Sequence, residues 1–504
     1  MNDVTAAGEQ PATEHVDVLI VGAGISGIGA AHHLAEQCPT KSFVILDNKA
    51  DYGGTWRQHT YPGIRSDSDL YTFGYRFKPW LGAPIASGAA ILKYLQECVE
   101  DDDLTRHIRY QHDVRGASWD SDLQHWRVKV RRTDTNEVSH ITCGFFWMCG
   151  GYYQHAKGYT PEWQGMDDFK GQIVHPQTWP DDLDYTGKRV VVIGSGATAA
   201  TLIPNMADDC AHITMLQRSP TYFGTAANRD ELADTLRALD VPDEWIHDIL
   251  RRSKLKETRA FQDMTATNPE QVKKYLLDNI ATFLDDDFDM SHFTPSYRLW
   301  QQRLAYVPDG DLFKAIKSGK ASVVTDHIER FVPEGILTQT GKLLEADIVI
   351  TATGFNASVM GDIDYDVDGK PVDFSQVFTY RGLMNSGVPN MSFIFGYLRT
   401  TYTIRVELLC DFVCRLLNHM DARGAAVCTP TLGEADQNMT VHPWIDREEF
   451  NPSYLLRALP LMPKRGDHAP WLFNTDYYVE REELPTLDLD EEALVYQAER
   501  QTTR

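Results

Sequence analysis

Short apolar, β-branched runs alternate with helical spacing at the start of the chain. Val16–Val21 and Ser42–Leu46 read as buried strands, and the apolar positions from Ile25 to Gln37 between them recur at helical intervals. The same order of strand, helix and strand returns from Lys188, with Val190–Ile193 and His212–Leu216 as the strands. Between the two units the spacing predicts a helix over Ala86–Val99, a strand over Trp126–Arg131, and a short buried run, Phe145–Met148, stopped by Gly150-Gly151. Residues 51–75 form a loop rich in Gly, Tyr and Asp, and residues 160–188, with Pro161, Pro176 and Pro180, read as a linker. Residues 228–290 are charged, helical in spacing and free of glycine, which predicts a helical insertion. The strand Ala346–Thr351, ending at Gly354, is expected to lead back to the first unit, and a further helix covers Arg405–Met420. This pattern predicts an α/β chain: residues 15–160, then 161–345 with the insertion, then a return over 346–504. Residues 1–14 are polar and expected to be a disordered tail.

Each strand–helix junction carries a glycine fingerprint. The first is Gly22-Ala23-Gly24-Ile25-Ser26-Gly27 and the second Gly194-Ser195-Gly196-Ala197-Thr198-Ala199. A strand that turns tightly into a helix sets the helix N-terminus against a pyrophosphate, and glycine allows close approach. One such motif is a weak signal. Two in strand–turn–helix context predict two Rossmann-like domains holding two dinucleotides, an arrangement suited to hydride transfer between them.

The residues after each unit separate the two ligands. Asp47 follows Gly27 by 20 residues and closes the second strand, where a carboxylate accepts from ribose hydroxyls and repels a 2′-phosphate. The first site therefore suits FAD or NAD; the plainer reading is an acid that merely ends a strand. Arg218 lies 22 residues past Gly196, where an NAD site would carry an acid. Its guanidinium can grip a 2′-phosphate, with Ser219 adding a hydroxyl, which predicts NADP(H); the alternative is a solvated surface arginine. Gly53-Gly54-Thr55-Trp56 is either a bed for a flat ring system or a turn beside a core tryptophan.

Composition narrows the partners. The 504 residues exceed one ordinary core, and 72 acidic against 48 basic residues give a net charge of -24, which argues against nucleic acid and anionic membrane. The N-terminus shows no basic-then-apolar leader and no window reaches a membrane span, so a cytoplasmic protein is expected. The eight cysteines are scattered. Cys410 and Cys414 sit in an apolar helical run with no further ligand nearby, so they read as core thiols and no metal is expected. A redox-active cysteine pair of the kind a disulfide reductase uses is missing from the pattern.

The stretch Phe169-Lys170-Gly171-Gln172-Ile173-Val174-His175-Pro176-Gln177-Thr178-Trp179-Pro180 reads F-x-G-x-x-x-H-x-x-x-W-P. It resembles the fingerprint of type I Baeyer–Villiger flavin monooxygenases. Tyr61 to Asp69, Val307 to Phe313 and Ala352 to Phe355 resemble that family too, so the likeness covers nearly the whole chain. His175-Pro176-Gln177 and Trp300 to Leu304 are most similar to the ethionamide-activating group.

The resemblance implies FAD and NADP(H) as cofactors, dioxygen as co-substrate, and a hydrophobic ketone or a thioether as substrate. It implies that NADPH reduces FAD, that a peroxyflavin forms, and that oxygen is inserted beside the carbonyl to give an ester or lactone, with sulfoxidation as a side activity. By position, Arg303 matches the catalytic arginine and Asp67 the acid that orients it. Ser26, Asp47, Thr55, Trp56 and Val114 match flavin contacts. Arg65, Ser66 and Asp67 match the loop where NADP meets the flavin, and Arg218 with Ser219 the 2′-phosphate clamp. Phe169, Gly171, His175 and Trp179 match the hinge, in which His175 is expected to hold conformation rather than shuttle a proton. Gln302 departs from the lysine of other branches. Tyr402 and Arg405 depart from the ethionamide-activating group and are expected to reshape the substrate pocket, together with the insertion, the C-terminal loops and the aromatic segment Tyr71–Trp80.

On local sequence alone Arg303 reads equally well as a salt-bridge residue; the resemblance favours catalysis, where a permanent cation lowers the cost of an oxyanion. The competing function is a flavin monooxygenase that mainly oxidises sulfur or nitrogen and does not need Arg303.

Overall fold

The computed structural model describes residues 14–500. The tail expected to be disordered therefore lies outside the described residues, except for Glu14, which opens the first strand.

Two sheets organise the molecule. The first has nine strands. Its path runs Lys370–Pro371, Asp364–Val367, His112–Asp120, His125–Arg132, Val138–Met148, Glu14–Val21, Phe43–Leu46 and Ile108–Arg109, with Met391–Phe393 paired on Val138–Met148. Its parallel half, where Val18–Val21 pairs with Phe43–Leu46, is buried on both faces and accordingly a continuous apolar run. The second sheet is parallel throughout, in the order Ala321–Thr325, His212–Gln217, Arg189–Ile193, Ile348–Thr351, Gln172–Val174.

Two expectations need correcting here. The strand expected to return to the first domain, observed as Ile348–Thr351, instead lies inside the second sheet, registered Ile348 to Val190 on one side and to Gln172 on the other. Four fully buried residues in a row fit a central parallel strand with neighbours on both edges. The chain regains the first sheet only at Asp364–Val367 and Met391–Phe393. The stretch read as a linker, 160–188, likewise contributes the edge strand Gln172–Val174.

Helices cover both sheets. Ile25–Gln37 runs from the first fingerprint and packs against the long helix Thr403–Arg423, which buries Leu409, Val413 and Leu416 completely. Each such side chain contributes about 2 kcal/mol on burial. Cys410 and Cys414 lie in this same apolar core. The charged stretch is helical, as its spacing predicts, and divides into three helices, Glu231–Ala238, Asp243–Thr267 and Pro269–Ala281. Among the described residues, no helix is long and apolar enough to cross a membrane.

Candidate active site

At both fingerprints the backbone does what the spacing requires. Gly22 and Gly194 turn with φ of +100° and +129°, where side chains are strained, and a Cβ on Gly194 would sit 2.4 Å from the Ala352 carbonyl oxygen. Gly27 lies so close beneath the turn that a Cβ there would fall 1.8 Å from the Gly22 carbonyl oxygen. The helices Ile25–Gln37 and Ala197–Met206 start at Gly24 and Gly196, and neither start has a side-chain cap. Both leave first-turn N–H groups for an outside acceptor, the chemistry a pyrophosphate supplies.

Both helix starts open into one cavity of about 1420 Å3. A single small ligand fills roughly 300–1,000 Å3, so this space suits more than one. Every cofactor position expected from the sequence lines it except Gly27 and Ala199, which are buried behind the turns. Asp47 is buried at the cavity edge and accepts from the backbone N–H of Ala23 at 2.7 Å and of Lys49 at 2.8 Å. Burial pushes its carboxyl upward against those two bonds. The Tyr153 hydroxyl donates to Thr55 Oγ1 at 3.0 Å, tying the Gly53–Trp56 turn to the end of the sheet. At the second site the Ser195 hydroxyl meets Thr221 Oγ1 at 2.8 Å, and Arg218 and Ser219 stand exposed at the rim. Among the described residues Arg218 forms no ion pair, which suits a phosphate and fits the dinucleotide the sequence predicts there.

The residues expected to form the hinge, Phe169, Gly171, His175 and Trp179, sit outside the cavity lining. His175 bridges two segments: its Nε2–H donates to the Gly354 carbonyl at 3.2 Å, and its Nδ1 accepts from the Gln177 N–H at 3.1 Å. Burial lowers its pKa, keeping it neutral in this role. A Cβ on Gly158 would lie 1.9 Å from the imidazole, so that glycine makes room for the ring. Phe169 is buried edge-to-face on Phe331, and Trp179 packs at the margin of the apolar core of the second sheet.

Arg303 and Asp67 line the same cavity, but no ion pair joins them. Among the described residues Asp67 makes only a long contact, accepting from the Ser68 hydroxyl at 3.5 Å. The expected orientation of Arg303 by direct contact is therefore corrected to a longer-range attraction. Desolvation opposes charge on Arg303, while facing Tyr454, Tyr152 and Asp67 outweigh it, so its pKa stays above the ordinary value. Arg65 is committed elsewhere: its guanidinium holds Asp311 through bonds of 2.5 and 3.2 Å.

Three further expectations change. Tyr402 lines the cavity and its hydroxyl is pushed up to about 12 by burial, but Arg405 does not line it. Arg405 is completely buried, paired with Glu480 at 2.8 Å and bonded to the carbonyls of Arg381, Gly382 and Phe395. The helical insertion contributes no lining residue, and of Tyr71–Trp80 only Phe73 does. Tyr71 and Trp80 pack instead on Ile246 and Leu250 of the insertion.

Sequence reasoning missed Tyr152 and Tyr454. Tyr152 follows Gly150-Gly151 directly, just past the carboxyl end of a strand, the usual place for ligand contacts. Tyr454 comes from the short C-terminal helix Ser453–Ala458 and has no signal of its own.

Comparison with known proteins agrees with this geometry. Residues 20–80 match the NAD(P)-binding Rossmann-like domain, and residues 85–231 match the flavin-binding monooxygenase-like family. The FAD-containing monooxygenase EthA of Mycolicibacterium smegmatis is 44% identical over 486 residues, 96% of this chain and 97% of that protein. The chain belongs to the flavin-binding monooxygenase family. The resemblance carried by residues 169–180 thus holds. A solved oxidized steroid monooxygenase bound to NADP superposes on this monooxygenase with a TM-score of 0.75 at 25% identity, covering 96% of this chain and 100% of that one. The fold is also that of OTEMO in its complex with FAD and NADP, with a TM-score of 0.69 at 23% identity over 83% of this chain and 88% of that one. The cofactor pair expected from the two fingerprints is the pair bound in that complex.

Proposed function

We propose that this monooxygenase is an NADPH-dependent Baeyer–Villiger enzyme that inserts one oxygen atom from dioxygen beside a ketone carbonyl. Arg303 is the observation that carries this reading. Its guanidinium opens into the cavity shared by the two nucleotide sites, and among the described residues no carboxylate pairs with it. A salt-bridge arginine would have a partner; this one is left with its charge for something that enters.

FAD fits the first fingerprint, with Gly22, Gly24 and Ser26 at its pyrophosphate, Asp47 at its ribose side, and Thr55, Trp56 and Val114 around it. NADP(H) fits the second, with Gly194 to Thr198 at the helix start and Arg218 and Ser219 at the 2′-phosphate. When bound, the pair supplies hydride and oxygen activation. The chain supplies charge and shape. Arg303 stabilises negative charge that develops on oxygen at the reacting carbonyl, and it does so in a site walled by protein, where each charge counts for more. Asp67, near but not in contact, offsets part of that charge without neutralising it. Tyr152, Tyr402 and Tyr454 give the substrate an aromatic wall, their ring centres about 6 Å apart across Tyr152.

A second reading, oxidation of sulfur or nitrogen as the main reaction, draws on the same tyrosines. Burial raises the Tyr152 pKa, so its phenol stays a neutral proton donor beside the site. Product identification separates the two. With the FAD-loaded enzyme, NADPH, a ketone panel and a thioether, the first reading expects esters or lactones. Sulfoxide alone would support the second.

A further inference from the structure

The charged insertion stays outside the cavity, yet its long helix Asp243–Thr267 sends a buried arginine to the loop that carries Asp67. That loop ends in a single helical turn, Leu70–Phe73. A helix this short leaves its carbonyls unsatisfied. The start is held from within: half-buried Asp69 accepts from the Thr72 N–H at 3.0 Å and the Thr72 hydroxyl at 2.7 Å. The end is held from outside. Arg251 Nη1 donates to the Gly74 carbonyl at 2.8 Å, with longer contacts to Tyr71 at 3.2 Å and Thr72 at 3.3 Å. Its Nη2 pairs with Glu407, also buried, on the helix Thr403–Arg423. One planar fork therefore serves three carbonyls and a carboxylate, which a lysine cannot do.

The same helix reaches the opposite wall. Gln262 donates to the Arg399 carbonyl at 3.2 Å, just before cavity-lining Thr400 and Tyr402. A hydroxyl contact of 2.8 Å between Thr72 and Thr401 closes the ring. Among the described residues Asp67 has no strong partner of its own. It hangs between Ser66, whose N–H donates to Ala86 at 2.9 Å, and Leu70, whose N–H donates to Pro84 at 2.8 Å. Its direction is inherited from those flanks.

We propose that Arg251 is a positioning residue for the Asp67 loop and that the insertion is a splint holding two cavity walls in register. This role rests on the reading of Asp67 as a group of the reacting site.

Arg251→Lys keeps a cation opposite Glu407, so folding and flavin content are expected to persist. The flavin-loaded variant is compared with wild type by hydrogen exchange and by turnover, each in the Asp67 and the Asp67→Asn background. Exchange over residues 66–76 is expected to rise about tenfold, with the fingerprint helices unchanged. Flavin reduction by NADPH stays within about twofold, while kcat for oxygenated product falls about tenfold at nearly constant KM. In the Asp67→Asn background the same substitution costs less than about twofold, because both changes remove one effect. Unchanged exchange over 66–76, or losses that multiply in the double variant, would overturn the role. If wild type makes sulfoxide but no ester, the functional reading fails, and the exchange and coupling measured on sulfoxide formation still decide Arg251.

Discussion

Arg303 and Arg218 present charges to the cavity that, among the described residues, no carboxylate pairs with. Each yields a separate prediction. Arg303→Ala is expected to lower ester formation on the order of 100- to 1,000-fold, the usual cost of removing an oxyanion stabiliser, while NADPH still bleaches the flavin. Single-turnover absorbance with product analysis checks both halves. Arg218→Ala is expected to raise the KM for NADPH on the order of 10- to 100-fold and leave that for NADH nearly unchanged, since a charge-assisted phosphate contact is worth about 1.5–3 kcal/mol. Steady-state kinetics with the two nucleotides tests it. At this scale the sequence exposed residues whose chemistry is tied to a motif: glycines at turns, the acid after the first unit, the arginine after the second. It hid those whose role depends on distant partners. Arg405 stands where a pocket residue was expected, yet it is spent on Glu480, and Arg65 is spent on Asp311. No local pattern announces a pairing across 75 or 246 positions.

The elements that hold the site have their own signatures. His247, on the insertion helix, is buried and its Nδ1 accepts from the Trp80 N–H at 3.1 Å. Burial, with Arg251 nearby, lowers its pKa to about 4. In the unfolded chain the imidazole titrates near 6.5, so between those values the unfolded state binds more protons. Stability from this group is therefore complete above about pH 6.5 and is lost as pH falls toward 4, on the order of 3 kcal/mol. Denaturation at pH 7 and pH 4.5 should show a smaller drop for His247→Gln than for wild type; an equal drop would place the sensitivity elsewhere. At the hinge, Gly158→Ala is expected to displace His175 from the Gly354 carbonyl and to mimic His175→Ala in turnover, with flavin content retained. Kinetics of the two variants side by side check that equivalence. Periodicity located most elements within a few residues, including Ile25–Gln37 at both ends. It misplaced Ile348–Thr351, because an apolar run says that a strand is buried and not which sheet buries it. It likewise showed a helical insertion, but neither its division into three helices nor the face they support, which depends on where Arg251 and Gln262 reach.

Across the whole molecule, two sheets present two uncapped helix starts to one shared space, and side chains fasten the halves together around it. Arg65 and Asp311 join the first glycine-rich loop to the helix Asp311–Lys317 beside the second sheet. Asp311→Ala should loosen that seam and admit water, so hydrogen peroxide released per NADPH consumed is expected to rise at least about twofold, read by a coupled peroxide assay. The two-dinucleotide architecture was legible because each site is built from contiguous sequence. The substrate side was not, since its wall is assembled from Tyr152, Tyr402 and Tyr454, three segments far apart in the chain. In the proposed reaction that wall and Arg303 decide what the enzyme makes. The most direct measurement is mass-spectrometric product identification from linear, cyclic and aryl ketones and a thioether, with wild type and Arg303→Ala run together on NADPH. Esters or lactones from wild type, lost in the variant while its flavin is still reduced, are the predicted result. Sulfoxide alone, formed equally fast by both proteins, would contradict it.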